Sequence, residues 1–242
     1  MQKRKQILAM SNSSAFFVEP PDPPCLARYL VGLTGKERPV IVHVGAANGD
    51  SSEKVSKFCD LGRRAGFDPR HLNLFALEDD NPDTFFKGAD AVYVDGGSTR
   101  NLRTLLREWS ADDALRRAYE RGVVLSGASA GANIMFEWGM TDSVKTRIEA
   151  IRGIGLLKGT ISVHSDARSD RGEALERHLG GADATYPAYA LEDGTALHFE
   201  DDAFARALAI KTGACVSIDE YGNGATPAQV EDLSLINAAD IL

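Results

Sequence analysis

The sequence predicts an α/β fold of three layers, in which a mostly parallel central sheet is covered by helices on both faces. Through the first half of the chain, short apolar runs alternate with polar stretches of helical spacing. These runs are apolar at consecutive positions, which is typical of parallel strands that are buried on both faces. After about residue 155, strands follow one another with fewer helices between them, so we expect mixed strands in the C-terminal part. We expect residues 1–242 to form a single domain.

The alternation places the elements in order along the chain. The predicted strands of the first half are residues 6–10, 39–44, 72–77, 89–94 and 122–126. The predicted helices are residues 25–33, 51–66, 98–109 and 111–121. In the second half, strands are expected at residues 160–164, 185–191, 196–200 and 205–211.

Composition and charge exclude several classes of protein. The chain of 242 residues carries 27 Lys and Arg against 35 Asp and Glu, a net charge of −8. Apolar residues make up 43%, which is ordinary for a globular protein and atypical of a disordered chain. The acidic balance leaves no excess cation to neutralise phosphates, so we expect no nucleic-acid or membrane partner. We expect a monomer or a homodimer.

The spacing of the cysteines indicates the cellular compartment, and the motifs present in the sequence indicate which cofactors to expect. The 3 cysteines are widely spaced and form no CxxC pair, so a reducing cytoplasm is expected. The sequence contains no apolar run of 18 residues that would predict a membrane span. HExxH, GxGxxG and Walker A motifs do not occur at the positions that would predict a metal or a nucleotide. We therefore expect no metal and no cofactor.

The sequence Gly127-Ala128-Ser129-Ala130-Gly131 has the pattern G-x-S-x-G. In a nucleophile elbow this pattern puts a serine on a tight turn between a strand and a helix. The motif alone is weak evidence for a catalytic serine, but an apolar strand precedes it and an apolar helix start (ANIMFEW) follows it. Ser129 is therefore a candidate nucleophile. The alternative is a small-residue turn selected for close packing or for binding an anion.

A second glycine-containing loop follows the strand at residues 89–94. Asp95, Gly96 and Gly97 come directly after this strand, and a helix follows them. A backbone N–H of this loop could complete an oxyanion hole with the N–H of Ala130. The alternative is a plain turn in which Ser98 or Thr99 caps the helix.

A serine nucleophile needs a base, and the chain has 5 histidines. His164 ends an apolar strand and is followed by a polar run, so it is the favoured general base. His43 lies inside a buried run and is expected to be a core residue. The acid that orients the base stays open at this stage. The candidates are Asp142, Asp166, Glu192 and Asp193.

Four segments in fixed order resemble the peptidase E family of serine peptidases. They are YVDGGSTRNL (93–102), LSGASAGANIMFEWGMTDS (125–143), GIGLLKGTISVHSDARSD (153–170) and YALEDGTALHF (189–199). The family includes α-aspartyl dipeptidase and the cyanophycinases. The resemblance covers residues 5 to 215 and implies a flavodoxin-like fold similar to that of the class I glutamine amidotransferases.

The resemblance also implies roles for individual residues. Ser129 matches the nucleophile, His164 the base and Asp193 the acid of a Ser-His-acid triad. Gly97 and Ala130 match the oxyanion-hole positions. The implied reaction is hydrolysis of short peptides, including dipeptides with an N-terminal Asp, through an acyl-enzyme.

The sequence departs from the family pattern at Asp95, next to the implied oxyanion loop, and at Asp193, the implied acid. Asp95 stands where the family has the first residue of a triple glycine. Its carboxylate, beside Gly96, could repel an oxyanion or select the amino terminus of a peptide. Asp193 stands where the family often has Glu.

Two arginines follow the candidate base. Arg168 and Arg171 could pair with a substrate carboxylate, or belong to a solvated loop.

Two further functions compete with the peptidase hypothesis. One is a cyanophycinase-like hydrolase that cuts isoaspartyl bonds on the same scaffold. The other is a non-catalytic ligand-binding protein, since a fold does not determine a function. The intact set of Ser129, His164 and Asp193 weighs against the second.

Overall fold

The computed structural model describes residues 4–18 and 24–233, and its first half alternates strands and helices. This half contains β1 (Gln6–Met10), α1 (Cys25–Thr34), β2 (Val40–Val44), α2 (Ser52–Ala65), β3 (Asp68–Leu72), β4 (Ala91–Val94), α3 (Thr99–Glu108), α4 (Ala111–Glu120) and β5 (Val124–Ala128). The second half contains α5 (Ala130–Asn133), β6 (Phe136–Thr141), β7 (Glu149–Arg152), β8 (Leu157–Ser162), α6 (Asp170–Leu179), β9 (Ala188–Leu191), β10 (Thr195–Glu200), β11 (Ala203–Ala209), β12 (Val216–Asp219), β13 (Thr226–Pro227) and β14 (Val230–Asp232).

The larger sheet has eight strands in the order β14-β11-β10-β1-β5-β4-β2-β3. The five strands from β1 to β3 are all parallel, and β10 pairs antiparallel with β1. In the register, Met10 lies opposite Ala128, and Val94 lies opposite Gly127. The carboxyl ends of β1, β4 and β5 therefore meet at one edge of the sheet. The residues that follow these three strands emerge side by side.

Helices cover both faces of this sheet, which confirms the predicted three layers. On one face, Leu26 and Leu30 of α1 and Phe58 of α2 pack in a buried cluster with sheet residues such as Ile41. On the other face, Leu102 of α3 belongs to a second buried cluster, which α4 and α5 join. Burial of these apolar side chains is the main force that holds the layers together.

A second, six-stranded sheet has the order β13-β12-β9-β8-β6-β7. Its three central strands, β6, β8 and β9, are parallel, and the outer strands are antiparallel to their neighbours. Ile161 and Tyr189 of this sheet belong to the same buried cluster as Leu102. Of the four strands expected after residue 155, two lie in this sheet as β8 and β9, and two lie in the larger sheet as β10 and β11. The carboxyl ends of β8 and β9 lie next to each other, because Ser162 pairs with Ala190.

The third strand lies at Asp68–Leu72, so the predicted strand at 72–77 is wrong. It is an edge strand, paired only with β2 among the described residues. An edge strand can be polar and can contain a proline such as Pro69, so apolar patterning did not reveal it. The apolar run that suggested the strand forms turns instead, in which Leu74 is buried and Phe75 is exposed.

The apolar segment after Ser129 forms only one helical turn before it becomes β6. The side-chain amide of Asn133 at the end of α5 donates to the carbonyl of Met140 in β6 at 3.1 Å. A Cβ at Gly139 would lie 2.5 Å from Cβ of Asn133, so only glycine allows this close approach. The chain therefore turns back on itself, which short-range apolar periodicity does not reveal. The strands β6, β7 and β12 to β14 were also not predicted.

None of the helices in the described part of the chain has the length and apolar character that a membrane span requires.

Candidate active site

Ser129 lies at the turn between β5 and α5, at the carboxyl edge of the larger sheet. Its backbone has φ 52° and ψ −108°, a strained conformation for a residue with a side chain. Its N–H donates to the carbonyl of Met10 at 3.0 Å, which ties the turn to β1. A Cβ at Gly131 would lie 2.0 Å from the carbonyl oxygen of Val94. The glycines of the motif therefore let the turn pack directly on the neighbouring strand.

His164 follows β8 and faces Ser129 across the boundary between the two sheets. Its backbone also has a positive φ, of 56°. Its Nε2 lies 2.9 Å from Oγ of Ser129, and its Nδ1 lies 2.5 Å from Oδ1 of Asp193. The three side chains predicted from the sequence thus form one continuous hydrogen-bonded chain.

The protonation of the His164 ring follows from its two partners. A carboxylate only accepts hydrogen bonds, so Nδ1 carries the proton and donates to Asp193. Nε2 then has a lone pair that accepts the hydroxyl proton of Ser129. This tautomer is the one a general base needs to remove that proton.

The geometry distinguishes among the four acids left open by the sequence. Glu192 turns away from His164, and its Oε2 accepts the N–H of Cys215 at 2.9 Å. Asp142 lies 3.6 Å from the guanidinium of Arg171. Asp166 accepts the backbone N–H of Asp193 at 2.9 Å, so it holds the loop and not the imidazole. Of the four, Asp193 is the acid that meets His164.

Ser11 holds the same loop from the opposite side and was not singled out in the sequence. It is fully buried directly after β1, and its Oγ accepts the N–H groups of Gly194 and Thr195 at 3.1 and 3.2 Å. Its own N–H donates to the carbonyl of Thr195 at 2.9 Å. Because a serine after a strand is common, no local signal marks it. Its contacts arise from residues more than 180 positions away.

The glycine-containing loop after β4 lies against Ser129. A Cβ at Gly96 would lie 3.3 Å from Cβ of Ser129. Gly97 has φ 147°, and a Cβ there would lie 2.2 Å from the carbonyl oxygen of Ala47. Ser98 caps α3 by accepting the N–H of Asn101 at 3.3 Å, so the loop is also a helix start. Ala130 is the first residue of α5, directly after Ser129.

Residues 7–207 match the model of peptidase family S51, a match that extends over most of the chain. This chain belongs to peptidase family S51. It is a serine-type peptidase, and the resemblance to peptidase E is confirmed.

Two curated relatives agree with this assignment. The chain is 35% identical over 210 residues to the uncharacterized peptidase YgaJ of Bacillus subtilis (strain 168), covering 87% of this chain and 90% of that one. It is 32% identical over 161 residues to Peptidase E of Nostoc sp. (strain PCC 7120 / SAG 25.82 / UTEX 2576), covering 63% of each.

Two solved structures share the fold. A peptidase from an acI-B1 Actinobacterium aligns with a TM-score of 0.71 and 16% identity, covering 95% of this chain and 96% of that one. A putative peptidase E protein from Listeria monocytogenes EGD-e aligns with a TM-score of 0.63 and 14% identity, covering 86% of this chain and all of the other.

Asp95 of this S51 peptidase lies in the interior, with no exposed surface. The donors around its carboxylate are Ser13 Oγ (2.7 Å), the Gly96 N–H (2.7 Å), the Tyr93 hydroxyl (3.1 Å), Asn48 Nδ2 (2.8 Å) and Lys54 Nζ (3.3 Å). Burial raises the pKa of Asp95, but the combined effect of His43, the charge of Lys54 and the hydrogen bonds from Ser13 and the Gly96 N–H holds the pKa well below its usual range. This burial contradicts the expectation that the carboxylate faces a bound peptide.

The two arginines after His164 differ in exposure. Arg168 is partly exposed, and its Nε and Nη2 donate to the carboxylate of Asp170 at 2.9 and 2.6 Å. Arg171 is buried, with a side chain only 3% exposed, and burial lowers its pKa. The predicted contact of Arg171 with a substrate carboxylate is therefore not open in this structure, whereas the guanidinium of Arg168 is partly exposed and paired with Asp170.

Two of the other four histidines, His43 and His198, are buried. His43 is buried as expected, and its Nδ1 lies 3.1 Å from Nδ1 of His71. His198 is also buried, where Nδ1 accepts the hydroxyl of Tyr29 at 2.9 Å and Nε2 donates to Gln6 at 3.1 Å. Both contacts suit a neutral ring, and burial lowers the pKa of His198 to about 4. Within residues 4–18 and 24–233, no His, Cys, Asp and Glu side chains form a group of three or more suited to a metal ion.

Proposed function

We propose that this S51 peptidase hydrolyses short peptides by nucleophilic catalysis, with Ser129 as nucleophile, His164 as general base and Asp193 as the orienting acid. The observation that carries the proposal is the unbroken hydrogen-bonded chain from Ser129 Oγ through both ring nitrogens of His164 to Asp193. The strained turn at Ser129, between a strand and a helix, supports its assignment as a nucleophile elbow.

In the first half of the reaction, Nε2 of His164 removes the hydroxyl proton as Oγ of Ser129 attacks the carbonyl carbon of the scissile peptide. The carbonyl oxygen becomes an oxyanion, and Asp193 stabilises the imidazolium that forms. The tetrahedral intermediate collapses when its C–N bond breaks. The leaving amine takes the proton from Nε2, and the acyl group remains on Oγ as an ester.

In the second half, a water molecule takes the place of the leaving amine. Nε2 of His164 removes one proton from this water while its oxygen attacks the ester carbonyl. The second tetrahedral intermediate collapses with cleavage of the bond to Oγ. Ser129 regains its proton from His164, and the acid product leaves.

The oxyanion of both intermediates is assigned to two backbone amides, those of Gly97 and Ala130. Ala130 supports this role because its amide directly follows the nucleophile at the start of α5. Gly97 supports it because its loop packs against Ser129. Fixed N–H donors of this kind stabilise a developing negative charge without reorganising when the charge appears.

For the substrate, we propose short peptides with an N-terminal Asp. Arg168 is a partly exposed cation four residues after the base, and a carboxylate already occupies its guanidinium from within the chain. Such a group binds a substrate carboxylate in the same forked geometry. We further propose a cytoplasmic location, because the three cysteines are unpaired thiols.

The test compares the wild type with Ser129→Ala and with the control Ser56→Ala, which changes an exposed serine of α2. Each is incubated with α-Asp-X, β-Asp-X and neutral dipeptides, and released amino acid is measured. We expect Ser129→Ala to lower kcat by at least about 10³-fold, and Ser56→Ala to match the wild type. Turnover retained in Ser129→Ala would refute the nucleophile, and a preference for β-Asp-X would make the isoaspartyl activity the better assignment.

A further inference from the structure

The orientation of one peptide group decides whether the loop after β4 can serve the reaction. The carbonyl of Gly96 and the N–H of Gly97 belong to the same planar, trans peptide group, so they point in opposite directions. The Gly96 carbonyl accepts a hydrogen bond from Nδ2 of Asn48 at 3.0 Å. The hydrogen bond from Asn48 therefore restrains the direction in which the Gly97 N–H points.

The carboxylate of Asp95 accepts hydrogen bonds from both Asn48 and Gly96. Its Oδ2 accepts from the same Nδ2 of Asn48 at 2.8 Å, which fixes the amide between the carboxylate and the Gly96 carbonyl. Its Oδ1 accepts the N–H of Gly96 at 2.7 Å. One carboxylate thus restrains the peptide group before Gly96 directly and the one after it through Asn48.

The carboxylate is itself anchored to three other parts of the fold. Ser13 in the turn after β1, Tyr93 of β4 and Lys54 of α2 all contact it. A buried charge is costly unless it is paired and hydrogen-bonded, and here both conditions are met. Lys54 also offsets the negative charge of Asp95, which would otherwise oppose an oxyanion nearby.

The far side of the loop is restrained by the turn after β2. The N–H of Ser98 donates to the carbonyl of Ala47 at 2.8 Å. The same carbonyl would lie 2.2 Å from a Cβ at Gly97, so the loop is packed tightly against it. The Gly96–Gly97 peptide is therefore held between Ala47, Asn48 and Ser129, with little freedom to rotate.

We propose that Asp95 is a positioning residue, whose buried carboxylate acts with Asn48 to aim the Gly97 N–H at the carbonyl oxygen attacked by Ser129. This inference rests on the proposed function, in which Gly97 is an oxyanion donor. It also gives the carboxylate in the glycine loop a role that requires no contact with substrate.

The kinetic test uses Asp95→Ala, Asp95→Asn, Asn48→Ala and the double variant Asp95→Ala/Asn48→Ala. Leu30→Ala of α1 is the control, because it perturbs the buried core on the helix side without touching the loop. In Asp95→Ala we expect kcat per folded molecule to fall at least about tenfold, with KM within about twofold of wild type. Asp95→Asn keeps an acceptor for the Gly96 N–H but turns a donor toward Nδ2 of Asn48, so its kcat should also fall.

The double variant tests whether the two residues act through one peptide group. If they do, Asp95→Ala/Asn48→Ala loses no more kcat than the more damaging single variant, because their effects are not additive. Fully additive losses would overturn the proposal. So would a rise in KM confined to peptides with a free amino terminus at unchanged kcat, because Asp95 would then contact substrate.

The amide resonance of Gly97, measured by NMR without substrate, tests this inference independently of the proposed function. Gly-Gly occurs twice in the sequence, at 96–97 and 180–181, so ¹³C′-Gly and ¹⁵N-Gly labelling selects the amides of Gly97 and Gly181. We expect Asp95→Ala and Asn48→Ala to shift the Gly97 resonance and leave that of Gly181 unchanged. An unchanged Gly97 resonance in both variants would overturn the proposal, even if the wild type hydrolyses no peptide in the panel. If Asp95→Ala fails to fold, Asn48→Ala decides.

Discussion

Replacing Asp193 by Asn tests which of two adjacent carboxylates orients the base. Asp193 lies 2.5 Å from Nδ1 of His164, whereas the Glu192 carboxylate is engaged by the N–H of Cys215. The matched variant is Glu192→Gln, which removes the same charge from the same loop. Any difference between the two variants therefore comes from the contact and not from net charge.

The size of the effect follows from the geometry and exposure of the pair. Opposite unit charges about 4 Å apart attract each other by about 4 kcal/mol at an effective dielectric constant near 20. The side chains of His164 and Asp193 are 24% and 36% exposed, so solvent screens part of this attraction. We take about 2–3 kcal/mol as the loss of imidazolium stabilisation, a factor of about 30–150 in rate.

A second effect adds to the electrostatic loss. An Asn amide can donate to Nδ1, which would leave the proton on Nε2 and remove the acceptor for the Ser129 hydroxyl. We therefore expect Asp193→Asn to lower kcat/KM by about 10²–10³-fold on the preferred dipeptide. Glu192→Gln should stay within about threefold of the wild type. Equal losses in the two variants, or a larger loss in Glu192→Gln, would refute the assignment of Asp193.

Three further predictions concern packing, pH and specificity. Gly131→Ala places a Cβ 2.0 Å from the Val94 carbonyl oxygen. It should lower the free energy of unfolding by about 1–3 kcal/mol in denaturant titrations, and an unchanged midpoint would contradict this packing. Burial lowers the pKa of His198 to about 4, so between about pH 6.5 and 4 the unfolded state binds a proton that the folded state does not. As pH falls through this window, wild type should lose up to about 3 kcal/mol relative to His198→Gln; parallel stability curves would contradict the neutral buried ring. Arg168→Gln should raise KM about tenfold for α-Asp-X and leave neutral dipeptides unchanged, and equal changes for both would exclude carboxylate recognition by Arg168.

Much of the first half of the fold could be predicted because its signals are local. β1, β2 and β4 are apolar on consecutive positions, since both faces of each strand are buried. Helices α1 to α4 show their buried residues at helical spacing. The edge strand β3 lacks this signal because solvent reaches part of it, and a polar sequence satisfies its backbone equally well.

Local sequence signals reveal some residues of the candidate site and not others. Ser129 could be singled out because a strained turn between a strand and a helix demands small residues on both sides, which is visible in five consecutive letters. His164 could be singled out because it ends an apolar run. The family resemblance pointed to Asp193, but the residues alone did not separate it from Glu192, because adjacent side chains in a loop point in directions that only the folded backbone defines.

Residues that are neighbours in the chain were enough to predict the alternation of elements, the nucleophile candidate and the base candidate. Three other features are visible only in the folded chain: Asp193 contacts His164, Asp95 is buried, and Asn48 donates to the Gly96 carbonyl. The two contacts join loops that follow different strands. Asp193 lies 29 positions from His164 in the sequence, and Asn48 lies 48 positions from Gly96. Hydrogen bonds act over about 3 Å, so the side chains that share one are known only once the sheets have brought their loops together.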